Sequence, residues 1–241
     1  MDDAPVVLAR HRGERGELAL RRRGDVLELV VDGVFAMDSA HTATEQALAE
    51  LALARLDDRH DPDSDPDDDL DIVVAGLGLG YTCRSLLDHP RVRRVRVIEL
   101  HAVLVDWMRA GLVPGAELLA DDRLEVRIAD VADAVPALAP ASVDAVLLDV
   151  DNGPGFLVHA DNARLYGRDF LAAAARALRP GGLLGIWSAD PAPDLLPILD
   201  AACGPTEEVL LDVRRDGRQF RYAIYLARRT ASTTPSTGPE N

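Results

Sequence analysis

From residue 70 onward the apolar positions come in short solid runs separated by stretches with helical spacing. The runs at 71–75, 93–99, 124–129, 143–149 and 183–188 are rich in Val, Ile and Leu, which predicts strands buried on both faces. Helical spacing falls at 81–87, 102–110, 168–178 and 192–203. Such alternation implies an α/β fold, a mostly parallel seven-stranded sheet with helices on both faces. The segments 208–213 and 220–227, joined through Arg215-Asp216-Gly217, predict a closing antiparallel hairpin.

Before residue 57 the pattern is different. Short runs at 17–22, 26–31 and 34–37 are punctuated by Arg23-Gly24-Asp25 and Asp32-Gly33, as strands joined by tight turns are. A helix is predicted over 39–55, with Leu48, Leu51, Ala52 and Leu56 on one face and Ser39 or Thr42 offering an N-cap. The chain therefore divides into a small N-terminal β-hairpin and helix unit (1–56), a linker (57–69), an α/β domain (70–229) and a disordered tail rich in Ser, Thr and Pro (230–241).

Composition sharpens this picture. The 241 residues carry 26 basic and 41 acidic side chains, a net charge of −15, which argues against nucleic acid or an anionic membrane as partner. All 26 basic residues are arginine, so a lysine Schiff base, a lysine-anchored pyridoxal and a phosphate loop ending in Lys-Ser/Thr are excluded. Nine aspartates against one arginine between Asp57 and Asp71 contribute −8 of the total, and such a run reads as a solvated linker. Its alternating aspartates also suggest a calcium loop, but the glycine and distal glutamate of an EF-hand are missing. No metal is expected. Cys83 and Cys203 are too few for a zinc site or a disulfide framework and are expected as small buried hydrophobes. Residues 1–25 hold no apolar signal-like run, and no apolar stretch approaches the roughly 18 residues of a membrane span, so the expected location is the cytoplasm.

The most informative segment is Ile72-Val73-Val74-Ala75-Gly76-Leu77-Gly78-Leu79-Gly80-Tyr81, a strand running into alternate glycines and then a helix. Gly76, Gly78 and Gly80 let the backbone turn and approach a ligand closely. Tyr81 stands where a dinucleotide fold wants its third glycine, so the spacing favours a nucleoside without a pyrophosphate. Glu99, 23 residues after Gly76, ends the second strand of the α/β domain, where an acid can accept both ribose hydroxyls. Asp130 and Asp149 end the next two strands, on the edge of the sheet where ligands bind, although each of the three acids would also serve as a helix cap.

With these residues in place, the chain resembles the spermidine synthase family of polyamine aminopropyltransferases, built on the Rossmann-like class I adenosylmethionine methyltransferase fold. The likeness covers most of residues 17–190. Val30-Val31-Asp32-Gly33-Val34-Phe35-Ala36-Met37 looks like the family's N-terminal strand and turn, and the 76–80 loop lies where the family has Gly-Gly-Gly-Asp-Gly. Asp149-Val150-Asp151-Asn152-Gly153-Pro154 matches its catalytic Asp-Ser-Ser-Asp-Pro stretch, and Leu165-Tyr166-Gly167-Arg168-Asp169-Phe170 its Leu-Tyr/Phe-x-x-x-Phe. The resemblance implies that Glu99 binds ribose, that Asp130 and Val131 meet adenine, and that Asp149 takes the proton of an attacking amine. It places Asp151 and Asn152 on the acceptor side. Adenosylmethionine or its decarboxylated form is the implied co-substrate, a small amine or other nucleophile the partner, and a homodimer the implied assembly.

The departures bear on the acceptor. Leu79 and Asn152 replace acids of the family, Ala36 replaces a Gln, and Ala43-Thr44-Glu45-Gln46 does not reproduce its Tyr-His-Glu stretch. Removing charged acceptors leaves a diamine poorly paired, which argues against putrescine. Methyl transfer on the same fold and a nucleoside-binding or assembly module without catalysis stay open beside aminopropyl transfer. His11, His101 and His159 show no metal spacing and are expected as surface or capping residues; Trp187 is expected in the core or at the edge of an acceptor pocket, and Asn152 and Asn162 flank a Gly-Pro loop expected over the acceptor side.

Overall fold

The computed structural model describes residues 4–58, 69–215 and 217–230, so most of the acidic linker, with its calcium-loop alternative, and nearly all of the tail lie outside the described residues. The chain opens with β1 (Val6–Gly13), β2 (Gly16–Arg23), β3 (Val26–Val31) and β4 (Val34–Asp38), followed by α1 (Ala43–Asp57). Then come β5 (Leu70–Ala75), α2 (Tyr81–Leu87), β6 (Val92–Glu99), α3 (Ala102–Arg109), β7 (Leu124–Ile128), α4 (Val131–Ala134) and β8 (Val143–Leu148). The chain closes with α5 (Arg168–Ala177), β9 (Leu178–Ser188), α6 (Leu195–Ala202), β10 (Thr206–Arg215) and β11 (Arg218–Arg228).

The first four strands form an antiparallel sheet in sequence order. The expected hairpin unit is thus a four-stranded sheet, and β1 is the addition. As an edge strand paired only with β2, it keeps most side chains exposed, and Arg10, His11 and Arg12 erase the apolar alternation that would announce it. Thr42 occupies the N-cap of α1 without a side-chain bond, while the Ser39 hydroxyl accepts from the Leu27 N–H (2.9 Å) and so ties the helix entry to β3.

The second sheet has seven strands in the order β10-β11-β9-β8-β5-β6-β7, with β11 antiparallel to both its neighbours and the other pairings parallel. Period-two alternation sorts each central strand between two cores. Ile72 and Val74 join Leu48 and Ala52 of α1, Leu86 of α2 and Met108 of α3. Val73 and Ala75 join Val131 of α4, Leu171 of α5 and Leu199 of α6 on the other face. Leu18, Leu20 and Leu29 of the first sheet belong to the α1 side, so the N-terminal unit packs into the same core. Both cysteines are free and buried. Among the described residues no helix is long and apolar enough to cross a membrane.

From β5 the chain runs outward through β6 and β7, then returns to β8 on the other side of β5. That reversal opens a crevice at the carboxyl ends of β5 and β8. Their ends are stitched together, since the Asp149 N–H donates to the Ala75 carbonyl (2.9 Å).

Candidate functional site

All three loop glycines have positive φ: +91° at Gly76, +51° at Gly78 and +86° at Gly80. A Cβ on Gly76 would stand 2.2 Å from the Asp149 carbonyl oxygen, and one on Gly78 would stand 2.7 Å from Met37 Sδ. Gly76 and Gly78 line a cavity of about 140 Å³ at the crevice. Gly80 does not; it caps α2, and a Cβ there would meet Leu118. Leu79 is likewise turned into the core, off the cavity wall.

Glu99 reaches this loop from β6. It accepts from the Leu77 N–H through Oε2 (2.9 Å) and from the His101 N–H through Oε1 (2.7 Å). Oε1 also faces the His101 Nδ1 (3.5 Å), so the carboxylate shapes the loop while Oε2 keeps a further lone pair for a ligand hydroxyl. Asp130 is a helix cap as well as a wall residue: Oδ1 accepts from the Ala132 N–H (2.9 Å), and Oδ2 pairs with Arg164 (2.7 Å). Val131 lies beside it on the same wall.

Asp149 follows β8 and accepts a hydrogen bond from Thr82 of α2 (2.6 Å). Burial pushes its carboxyl above the ordinary value, against the pull of that hydrogen bond. Facing the same cavity is Glu45 of α1, where the sequence showed only a lost family motif. Burial first and the Asp149 charge second push Glu45 to about 7. The Thr82 hydroxyl lies between the two, donating to Asp149 with its oxygen 3.3 Å from the Glu45 carbonyl, while the Thr44 hydroxyl donates to Glu45 Oε2 (2.8 Å). Because a neighbouring like charge is one cause, Asp149→Asn is expected to lower the Glu45 midpoint yet leave it above 4.5, as carboxyl carbon NMR would read. An unmoved midpoint would separate the two acids.

Asp151 and Asn152 belong to the same wall but are engaged. Asp151 accepts from the Asn152 N–H (2.8 Å) and the Val158 N–H through Oδ1, and from the Asn162 amide (2.8 Å) through Oδ2. Three donors make it the organiser of the 150–162 loop. Asn152 in turn donates to the Phe35 carbonyl (3.3 Å), joining that loop to β4. His101 and His159, 58 positions apart in the chain, stack with ring centres 6.0 Å apart on the cavity wall. His159 pairs with Asp32 through Nδ1 (3.2 Å), while its buried Nε2 has no partner among the described residues. Both histidines stand at N-cap positions, His101 before α3 and His159 before the turn Ala160–Tyr166, as capping residues do, and the folded loop also brings their rings together. Among the described residues no group of three or more His, Cys, Asp and Glu is placed to hold a metal.

A nucleoside sulfonium suits this wall: the glycine cradle admits close approach, Glu99 has acceptor capacity to spare, and the His159 Nε2 lacks a partner. A model of the spermine/spermidine synthase domain matches residues 29–192. A polyamine aminopropyltransferase of Mycobacterium tuberculosis is 30% identical over 192 residues, 78% of this chain and 33% of the relative. A putrescine N-methyltransferase of Nicotiana tabacum is 30% identical over 115 residues, 47% of this chain and 28% of the relative. This chain spans about a third of the length of the curated relatives it matches. The crystal structure of spermidine synthase from Thermotoga maritima superposes with a TM-score of 0.74 at 18% identity, covering 92% of this chain and 72% of that one, so the fold is shared.

Proposed function

The chain belongs to the spermine/spermidine synthase family, and on that premise we propose that it transfers an alkyl group from an adenosyl sulfonium to an amine. The observation that carries this reading is the placement of Asp149, a desolvated carboxylate at the end of β8, in one cavity with Gly76 and Glu99. Glu99 holds the ribose, with Asp130 and Val131 toward the base. A sulfonium supplies there a carbon whose bond to sulfur breaks as nitrogen bonds to it, the sulfur keeping the electron pair as a neutral thioether. Asp149 removes a proton from the ammonium, which frees the lone pair, and Thr82 holds the carboxylate in position.

Aminopropyl transfer is the reading that family membership favours, with decarboxylated adenosylmethionine as donor. One observation favours methyl transfer as a second reading: Leu79 offers no carboxylate to the terminal amine of the decarboxylated compound. Calorimetry with adenosylmethionine, its decarboxylated form and methylthioadenosine decides between them. Tighter binding of the decarboxylated form supports aminopropyl transfer and tighter binding of the intact form methyl transfer. Silence from all three would sink the transferase reading.

A further inference from the structure

Beyond Ala36, Asn152 and Trp187 lies a second cavity, of about 370 Å³, which shares those residues and Glu45 with the first. The chain has four Phe, four Tyr and two Trp, and five of these ten line this one space: Phe35, Phe156, Trp187, Phe220 and Tyr222. They come from β4, the 150–162 loop, β9 and β11, so the fold has gathered scarce aromatics from distant segments. Tyr222 meets Trp187 edge-on, with centres 5.3 Å apart and planes at 71°. Phe156 and Phe220 stand 54% and 38% exposed. The Trp187 indole N–H is buried and has no partner among the described residues.

Resting on the transferase reading above, we propose that this cavity is the acceptor site and that it takes an arylalkyl monoamine, its ring among the aromatics and its ammonium at Glu45. Aromatic walls reward an apolar ring by edge and face contacts and by area removed from water. A linear diamine would instead lay a chain without a ring over the aromatic walls, and the carboxylate of Asp38 there is already engaged by the Ala40 and His41 N–H groups (2.9 and 2.7 Å), which leaves Asp190 to meet a second ammonium. At the other end Glu45 faces both cavities, so an ammonium paired with it sits at the junction where Asp149 takes the proton. Asp38, Glu45 and Asp190 on the same wall make an anionic substrate unfavourable.

The test is a titration of the full chain with 2-phenylethylamine, putrescine and 3-phenylpropionate. It is read by the fluorescence of Trp187 in a Trp107→Phe background and, on the unaltered chain, by calorimetry. The expected result is that 2-phenylethylamine binds about tenfold or more tightly than putrescine, the size of a well-formed set of aromatic contacts, and that 3-phenylpropionate does not bind. Phe156→Ala and Phe220→Ala, both at exposed side chains, should each weaken the aryl amine several-fold, on the order of one lost aromatic contact, with nucleoside affinity unchanged. Glu45→Gln should weaken both amines. Equal or tighter binding of putrescine, or indifference of the aryl amine to both Phe variants, overturns the proposal. Amine binding is measured without nucleoside, so the two readings fail separately. If sulfonium nucleosides do not bind but 2-phenylethylamine does, the transferase reading falls and the assignment of the cavity to an arylalkyl monoamine stands.

Discussion

Asp149→Asn is expected to reduce turnover of the acceptor amine by about 10²- to 10⁴-fold at neutral pH, the contribution of a positioned general base. An alkyl ammonium with a pKa near 10 is neutral in only about one part in a thousand near pH 7, so the carboxylate supplies most of the reactive amine. Asparagine keeps the shape, and its carbonyl can accept the Thr82 hydroxyl that now donates to Oδ2 (2.6 Å), so the end of β8 should hold its place. What disappears is the ability to take a proton. The pH profile then separates a lost base from a damaged site. With Asp149 gone, the rate should follow the free amine and climb about tenfold per pH unit toward pH 10, closing much of the gap to the unaltered chain. Nucleoside affinity should change little, because Glu99 and the glycine loop bind that end. Unchanged turnover in this variant would mean that the base is another group, with Glu45 the first alternative.

Glu45 also marks the boundary of what the sequence carries. The parallel sheet was legible because a strand buried on both faces must be apolar at every position, and Ile72, Val73, Val74 and Ala75 are all fully buried. The glycine loop was legible for a related reason, since positive φ at alternate positions leaves a chemical mark. Glu45 was missed although a signal existed. It falls on the same helical face as Leu48, Ala49, Ala52 and Leu56, and a single carboxylate in a stripe that is otherwise buried is costly without a purpose. The histidine pair and the aromatic cavity left no such mark. Their members come from elements far apart in sequence: the 150–162 loop meets the end of β6 to pair the histidines, and meets β4, β9 and β11 to gather the aromatics. Strand β1 was hidden for a third reason: pairing through the backbone requires no apolar side chains.

Asp130 and Asp151 show how position alone overstates a role. Both stand where a ligand would meet them, and both spend acceptor capacity on the fold, one capping α4 and the other holding three donors of its own loop. Their substitution should therefore loosen structure as well as binding, whereas Asp149 accepts from the Thr82 side chain and Glu45 from its Thr44 neighbour and its own backbone. The groups with the least structural employment are the ones left to do chemistry.

Gly76→Ala is expected to destabilise the chain by roughly 2–5 kcal/mol, combining about 1–2 for a left-handed backbone at a non-glycine residue with about 1–3 for overpacking. The added Cβ would lie 2.2 Å from the Asp149 carbonyl oxygen and 3.0 Å from its carbon, and neither is a flexible side-chain tip that can swing away. Either β5 and β8 separate at their ends, breaking the bond from the Asp149 N–H to Ala75, or the loop leaves the cavity. Gly33→Ala supplies the internal control, because Gly33 has a comparable φ of +80° but no atom within 4 Å of the added Cβ. Its loss should be confined to the backbone part, about 1–2 kcal/mol. For a chain of this size each kcal/mol moves the melting temperature by about 2–4 °C, so thermal denaturation should separate the two variants by several degrees. Nucleoside binding should fall sharply in Gly76→Ala and stay intact in Gly33→Ala. Equal melting shifts in the two would mean that φ alone demands glycine at position 76, and that contact between the loop and the Asp149 backbone does not lock the base to the nucleoside cradle.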